Sequence, residues 1–237
     1  KRYNFKLYNQ LGHETIYSQY SILGIGMKEL DLKKGFPKHY KWVGPSGASV
    51  EAGEDYPLDL SPFMERKKVL MTCGTQLAWA KENLIYQATQ LAKAHPDCHF
   101  FVTRGVGGEA FQCENLMENL SVVSYLPYKE YIPQMDYVIH HGGAGIFYQC
   151  IIYGKPALIL PHDYDQFDYA VRGVEAGVAF SAKRDNSKAI GQAFEELLAK
   201  ENWPELETLR QAAQSYHPTE MLEREIHRLL EDKEKEK

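Results

Sequence analysis

The chain has 237 residues, of which 44% are hydrophobic, and a formal net charge of −5. This length allows one large domain, or one and a half small ones, with a real hydrophobic core. The negative charge disfavours a nucleic-acid-binding protein, because such proteins normally present a basic stripe.

The first part of the chain opens at "KRYNFKLYNQLG", without an initiator Met, and ends in "YKWVGPSG". We expect that residues upstream of it have been removed. The next stretch, "SGASVEAGEDYPLDLSPF", is polar and punctuated by Gly and Pro, which is typical of a linker or long loop. We therefore place a domain boundary near Ser46.

From Lys68 onward, short apolar runs alternate with segments of helix length. The predicted strands are "KVLMTCG", "HFFVTRG", "SVVSYL", "YVIHH" and "PALILP". Helices are predicted over residues 78–94 and 129–135 and from about Gly143. This alternation is typical of βαβ units on a parallel sheet.

The last part of the chain, after Ser187, is predicted to be helical throughout. Its three segments are "SKAIGQAFEELLAK", "PELETLRQAAQSY" and "TEMLEREIHRLL". In the third segment Leu222, Ile226 and Leu229 fall on one stripe, which predicts core packing. The final charge run, "EDKEKEK", indicates a solvated face.

A strand, a glycine turn and a helix follow one another in residues 136–150, "DYVIHHGGAGIFYQC". Glycines let the backbone come close to a ligand at the carboxyl edge of the strand, and the helix start directs unpaired N–H groups to the same place. The pattern favours a diphosphate site that needs no metal, with His141 as a further donor. The alternative is that the glycines only permit close packing and that the two histidines are ordinary strand-end residues.

The next predicted strand, "PALILP", ends at the same edge of the sheet and is followed by "HDYDQ". Asp165 and Gln166 there supply a carboxylate and an amide, which can accept from and donate to sugar hydroxyls. We therefore expect a diphosphate and a sugar to lie side by side at this edge.

The segment "HHGGAGIFYQCIIYGKPALILPHDYDQ" resembles the donor-site motif of UDP-glycosyltransferases of the GT-B fold. The family pattern has H-G-G-x-G-T, E-A-L, G-x-P and P-x-x-x-D-Q. Upstream, "KVLMTCGTQ" is similar to the first strand of the family's C-terminal domain, "YLPY" to its W-x-P-Q segment and "YKWVGP" to the end of its interdomain connection. The resemblance extends from about Lys41 to about Ala182.

This resemblance implies an α/β fold with a doubly wound, Rossmann-like parallel sheet and a helical C-terminal end, which is the C-terminal half of a GT-B glycosyltransferase. Residues 1–45 would be a remnant of the N-terminal acceptor domain with the interdomain connection. Residues 46–237 would bind the nucleotide-sugar donor.

The resemblance also implies which residues bind the donor. His141 would contact the diphosphate, Tyr125 would stack on the base in place of the family's Trp, and Asp165 with Gln166 would hold the sugar. The implied set is Thr75, Tyr125, Leu126, His141, Gly142, Gly143, Gly145, Ile146, Gln149, Asp165 and Gln166. For Leu126, Gly143, Gly145 and Ile146 the backbone would make the contact.

Three positions differ from the family pattern. Gln149 stands where a Glu usually takes the ribose hydroxyls, Ile146 where a Thr or Ser helps the phosphate, and Tyr128 where W-x-P-Q has its Gln. Asp163 and Asp165 also form a D-x-D pair, which other glycosyltransferases use to bind a metal. The surrounding P-x-x-x-D-Q pattern explains Asp165 better, so we expect no metal.

The activity that the resemblance implies is an inverting, metal-independent transfer of a hexose, with UDP-glucose as the favoured donor. UDP-galactose, UDP-N-acetylglucosamine and thymidine-linked sugars are alternatives. The catalytic base would lie in the N-terminal domain, so we expect no catalytic residue in this chain and little or no activity without an acceptor half. The acceptor is not predicted.

Three alternatives remain at this point. The chain could be the donor-binding subunit of a two-chain glycosyltransferase, a UDP-sugar epimerase of GT-B architecture, or a nucleotide-binding module without chemistry. The absence of an obvious carboxylate constellation disfavours the epimerase.

The expected location is the cytoplasm. The four cysteines are too irregularly spaced for a zinc ribbon or a disulfide framework, which favours a reducing compartment. No apolar run approaches the length of a membrane span, and no signal peptide is recognised. Peripheral association with a membrane is compatible with this prediction.

Overall fold

The computed structural model describes residues 18, 20–32, 35–45, 57–105 and 110–235. Their contacts divide the chain into two compact units, with Ser46–Gln214 in the second unit and the residues on either side of that range in the first. The unit boundary therefore lies at Ser46, although the residues from Ser215 onward group with the first unit. Most of the predicted opening segment and of the linker lies outside the described residues. The assignment of the first unit to an acceptor domain stays a prediction.

The first unit contains two short strands that were not predicted. Strand β1 (Ile22–Ile25) and strand β2 (Tyr40–Gly44) pair in parallel. The rings of Tyr40 and Trp42 of β2 and of Phe36 contact one another, with centroids 4.4 to 5.5 Å apart.

The second unit is built on one twisted sheet. Its strands are β3 (Lys67–Thr72), β4 (Cys98–Thr103), β5 (Cys113–Met117), β6 (Leu120–Val123), β7 (Tyr137–His140), β8 (Ala157–Ile159) and β9 (Ala179–Ser181). Their spatial order is β5-β6-β4-β3-β7-β8-β9. All neighbours are parallel except β5 and β6, which are antiparallel.

The described residues form seven α-helices. They are α1 (Lys81–Ala94), α2 (Tyr128–Tyr131), α3 (Ala144–Ile152), α4 (Gln166–Glu175), α5 (Ser187–Ala199), α6 (Pro204–Gln214) and α7 (Pro218–Lys235). Local signals start two of them: the Asn186 side chain accepts a hydrogen bond from the Ala189 N–H at 3.0 Å, and Pro204 opens α6. None of the described helices is both long enough and apolar enough to cross a membrane.

The central strands are buried because helices cover both faces of the sheet. All six residues of β4 are buried, as are the last four of β3. Such strands have continuous apolar sequences rather than alternating ones, which is why their sequences predicted them. On one face Val69, Met71 and Ile139 pack in a core cluster that includes residues of α1 and α5.

The strand order reverses direction once, between β3 and β7. From β3 the chain moves outward through β4 to β6, and it then returns to β7 and moves outward the other way through β8 to β9. This is the doubly wound arrangement, so the predicted fold class is confirmed. Ligands of such sheets bind beyond the carboxyl ends of the strands at this switch point.

The prediction that the apolar stripe of α7 packs in a core is wrong for the residues that the structure describes. Leu222 is 40% exposed and Ile226 is 54% exposed, whereas Glu225 beside them is buried. The buried carboxylate forms ion pairs with Lys41 of β2 and with Arg228, the latter at 2.7 Å. The hydrogen bonds from Arg228 and Lys41 lower the pKa of Glu225 to about 2, against the effect of burial.

The replacement Glu225→Gln should remove an acid-sensitive part of the stability of the first unit. Because folding lowers the pKa of Glu225 from 4.5 to about 2, the charged carboxylate stabilises the fold above pH 4.5, and this contribution is lost as the pH falls toward 2. We expect the variant to lose about 1–3 kcal/mol of unfolding free energy at pH 7. Urea unfolding at pH 7 and pH 3 measures the difference.

The matched control for this experiment is Glu223→Gln, on the exposed side of the same helix turn. This variant should unfold like the unchanged chain at both pH values. The prediction would be contradicted if Glu225→Gln lost as much unfolding free energy at pH 3 as at pH 7.

Candidate functional site

The turns that follow β3 and β7 meet at the switch point, with His141 between them. A Cβ atom added to Gly74 would lie 3.0 Å from His141 Cε1, and one added to Gly143 would lie 2.5 Å from His141 Nε2. The imidazole ring is therefore packed between two glycine turns whose strands are adjacent in the sheet. The structure thus brings together the predicted residues His141, Gly143 and, next to Gly74, Thr75.

The environment of His141 keeps its ring neutral near pH 7. Burial and the neighbouring His162 lower the pKa of His141 to about 4, and the Thr72 backbone and Asp165 offset only part of this effect. The Nδ1 atom is buried and has no hydrogen-bond partner among the described residues. A buried polar atom without a partner is costly, so a bound ligand that satisfied it would gain affinity.

Helix α3 begins directly after this turn. Gly143 is its N-cap residue, without a side-chain cap, and the Phe147 N–H donates a hydrogen bond to the Gly143 oxygen at 3.1 Å. The N–H groups of residues 144–146 precede that bond and are available to an anion. A Cβ atom on the exposed Gly145 would meet no atom within 4 Å. Donors and open space therefore coincide at the helix start, and the phosphate contact there stays a prediction.

Gly142 joins the turn after β7 to the loop after β8. Its φ is +90°, and a Cβ atom there would lie 2.8 Å from the Gln166 oxygen and 3.0 Å from Ile159 Cγ2. Both the backbone conformation and the close approach therefore require glycine. The predicted phosphate and sugar segments are consequently in contact.

The loop after β8 presents Asp165 and Gln166 differently. Asp165 is exposed, so its carboxylate is open to a sugar hydroxyl. Gln166 is buried, and its Oε1 accepts hydrogen bonds from the N–H groups of His162 and Asp163, at 2.9 and 3.0 Å. Gln166 therefore shapes the loop, which the sequence did not predict, and only its amide nitrogen is left for a sugar.

The remaining predicted residues are placed unevenly. Thr75 is exposed and Tyr125 is half-buried, both beyond the carboxyl ends of strands. The side chains of Leu126 and Ile146 are buried, and the contacts expected from their backbone stay predictions. Gln149 is 4% exposed, so the structure does not bring it to the surface of the crevice, and its ribose contact stays a prediction.

A cavity that sequence reasoning missed adjoins the loop after β8. It has a volume of about 590 Å³, and His162, Phe167 and Arg184 are among its lining residues. The Arg184 guanidinium donates to the His162 carbonyl oxygen and lies 4.9 Å from the centroid of the Trp79 ring, which is 60% exposed. The only sequence signal for it is the charged run "KRD" directly after β9.

Among the described residues, no group of three or more His, Cys, Asp or Glu side chains is placed to hold a metal ion, and the absence of a metal at the D-x-D pair stays a prediction. Asp163 accepts a hydrogen bond from the Tyr164 N–H at 2.9 Å. Tyr164 has a φ of +48° and is 84% exposed, between the two aspartates.

Comparison with known sequences identifies a family and several relatives. Residues 107–227, just over half of the chain, match the profile of the family "Erythromycin biosynthesis protein CIII-like, C-terminal domain". An uncharacterized UDP-glucosyltransferase of Bacillus subtilis is 25% identical over 68% of this chain and 40% of its own length. A sterol 3-beta-glucosyltransferase of Pichia angusta is 35% identical over 66% of this chain and 14% of its own length.

Solved structures share the fold. The glycotransferase of kitacinnamycin matches with a TM-score of 0.71 and 21% identity, over 87% of this chain and 55% of that protein. Spinosyn rhamnosyltransferase SpnG complexed with thymidine diphosphate matches with a TM-score of 0.66 and 17% identity, over 87% of this chain and 56% of that protein. The chain therefore spans about half the length of these structures, and less of the curated relatives.

Proposed function

Because this chain belongs to the family of erythromycin biosynthesis protein CIII-like C-terminal domains, which places it among glycosyltransferases, we propose that it binds a nucleotide-sugar donor at the switch point of its sheet. The observation that carries this proposal is the position of His141 between two glycine turns at the open start of α3. The backbone at the start of α3 and one side chain there offer hydrogen-bond donors to a single anion.

The diphosphate would be held without a metal. The positive end of the α3 dipole contributes about 0.3–2 kcal/mol, and each hydrogen bond to a charged phosphate about 1.5–3 kcal/mol. Since the His141 ring is neutral, it donates one N–H rather than a charge. These donors act most strongly when the glycosidic bond breaks and negative charge develops on the departing nucleotide.

The sugar would lie over the loop after β8. Asp165 accepts from a hydroxyl, and the Gln166 amide nitrogen donates to one, because its oxygen is already used within the loop. We propose a hexose as the transferred sugar and UDP-glucose as the donor. The transfer would be inverting, with the acceptor deprotonated by a base outside the donor-binding unit.

A thymidine diphosphate sugar is the second candidate donor. The structure leaves Gln149 4% exposed where the family has a Glu for the ribose hydroxyls, so a nucleotide with one hydroxyl fewer loses little here. The similarity to a rhamnosyltransferase complexed with thymidine diphosphate supports this alternative.

The acceptor would be bound by an N-terminal domain or by a partner chain. Among the alternatives, a two-chain transferase requires that a separate acceptor half restore transfer. An epimerase would convert a UDP-amino sugar into its epimer without any acceptor. A module without chemistry would bind the nucleotide with or without an acceptor half, and it would transfer no sugar.

The replacement Gly145→Ala tests the anion site directly. An added methyl group meets no protein atom, so the fold should tolerate it and gain up to about 1 kcal/mol in the helix. In the complex, however, the methyl group would occupy the space of a phosphate oxygen. We expect the affinity for uridine diphosphate or thymidine diphosphate to fall at least about tenfold. Calorimetric titration without divalent cations measures it.

The matched control is Gly191→Ala. Gly191 also lies in a helix, α5, where an added Cβ atom meets nothing within 4 Å. This variant should be as stable as Gly145→Ala and bind the nucleotide like the unchanged chain. Equal binding by both variants would remove the helix start from the proposed site.

A further inference from the structure

Three adjacent strands of the sheet end in the same way. At each end, the side chain of the last strand residue accepts a hydrogen bond from the backbone N–H of a glycine two positions later. The pairs are Thr103 with Gly105 at 3.1 Å, Thr72 with Gly74 at 3.0 Å, and His140 with Gly142 at 3.0 Å. We call Thr72, Thr103 and His140 the strand-end acceptors.

The strand-end acceptors form a row across the switch point. Thr72 of β3 is in register with Thr103 of β4 on one side and with His140 of β7 on the other. All three are at most 2% exposed. A ligand in the crevice therefore does not touch them, and any influence on binding passes through the backbone.

Each of these bonds holds a left-handed turn. The φ angles of Gly74, Gly105 and Gly142 are +67°, +62° and +90°. Each bond also satisfies the glycine N–H, which would otherwise be an unpaired donor at the end of a strand. The chain beyond Gly74 and beyond Gly142 is thereby directed across the edge of the sheet, which places Thr75 and Gly143 at the crevice.

The chemistry of His140 fits this role. Since Nδ1 accepts from Gly142, the ring carries its proton on Nε2. Burial, with a smaller effect of His141, lowers the pKa of His140 to about 3. Nδ1 thus stays an acceptor throughout the neutral pH range, as the two threonine hydroxyls do.

We propose that Thr72, Thr103 and His140 are positioning residues, which hold the glycine turns in the conformation that the diphosphate requires. This inference rests on the proposed function. It assigns a binding role to side chains that contact no ligand. It also explains why three neighbouring strands each end in an acceptor that stands two positions before a left-handed glycine.

The test uses Thr72 in the full chain, with uridine diphosphate and thymidine diphosphate as probes. Thr72→Val keeps the shape of the side chain but removes the acceptor, and Thr72→Ser keeps the hydroxyl. We expect calorimetric titration to show affinity lowered about three- to tenfold for Thr72→Val and restored to within about twofold for Thr72→Ser. Thermal unfolding of each variant, measured in parallel, shows that the protein is folded at the titration temperature.

Two controls separate the turn from other effects of the lost hydroxyl. The Thr72 oxygen also lies 2.8 Å from the Tyr128 hydroxyl, so Tyr128→Phe removes that contact and leaves the bond to Gly74. Thr89→Val removes a hydroxyl that donates to the Ile85 carbonyl in α1, away from the sheet edge. Both variants should bind the nucleotide within about twofold of the unchanged chain.

A third variant pair extends the test to β7. His140→Asn retains an acceptor close to the position of Nδ1, whereas His140→Leu does not. We expect Asn to preserve more affinity than Leu. Unchanged binding by Thr72→Val, or equal weakening by Thr72→Val and Thr72→Ser, would overturn this inference alone. Absence of nucleotide binding by the unchanged chain would overturn the proposed function and this inference together.

Discussion

Replacing His141 with alanine should weaken the binding of uridine or thymidine diphosphate by about 1.5–3 kcal/mol, roughly ten- to a hundredfold in affinity. The ring is fixed between two glycine turns, and its buried Nδ1 has no partner among the described residues. Little freedom is therefore lost when it donates to a phosphate. Calorimetric titration without metal measures the change, with His227→Ala, on the exposed part of α7, as the control.

The pH dependence of the same binding distinguishes a neutral from a charged histidine. Since the pKa of His141 is lowered to about 4, its imidazole is uncharged from pH 6 to pH 8 and becomes a cation only as the pH falls toward 4. The difference in affinity between the unchanged chain and His141→Ala should therefore be constant over that range. A difference that shrinks as the pH rises through 6.5 would show that an imidazolium binds the phosphate.

Replacing Gly142 with alanine should have the largest effect on the fold. An L-residue at a φ of +90° is strained by about 1–3 kcal/mol, and the new methyl group would also lie 2.8 Å from the Gln166 oxygen. We expect a loss of about 2–4 kcal/mol of unfolding free energy, and no nucleotide binding, because relief of the overlap displaces the turn. Urea unfolding and titration measure the two effects.

The control for Gly142→Ala is Gly35→Ala. Gly35 has nearly the same φ, +89°, but a Cβ atom there meets nothing within 4 Å. Gly35→Ala therefore shows the effect of backbone strain without the overlap. It should lower the unfolding free energy less than Gly142→Ala does. If both variants lost the same unfolding free energy, the overlap with the loop after β8 would contribute nothing to the effect of Gly142→Ala.

The sequence predicted those elements whose signal is local. The central strands have continuous apolar runs because both faces are covered, and α1, α3, α5 and α6 follow clear helical patterns. By contrast, β5, "CENLM", is largely exposed at the antiparallel edge and carries no strand pattern, and β9 has three residues. Helix α4 begins at Gln166, so its first turn coincides with a motif that was interpreted only as a ligand contact.

The site was predictable to the extent that it depends on residue type. Glycines and a histidine at a strand end indicate an anion site whatever their exact neighbours are. The inward orientation of the Gln166 oxygen, the burial of Gln149 and the row of strand-end acceptors were not predictable, because they depend on which strands are adjacent and in what register. The sequence specifies these only through the complete fold.

The grouping of α7 with β1 and β2 has a consequence for synthesis on the ribosome. The two strands leave the exit tunnel before α7, because Glu225, which pairs with Lys41 of β2, is translated more than 180 residues after it. Domains generally fold as units, N-terminal first. Here the central sheet is complete before α7 emerges, so the unit that contains β1 and β2 is finished only after the sheet. Until then Lys41 of β2 lacks its ion-pair partner, so we expect premature termination within α7 to destabilise the unit that contains β1 and β2.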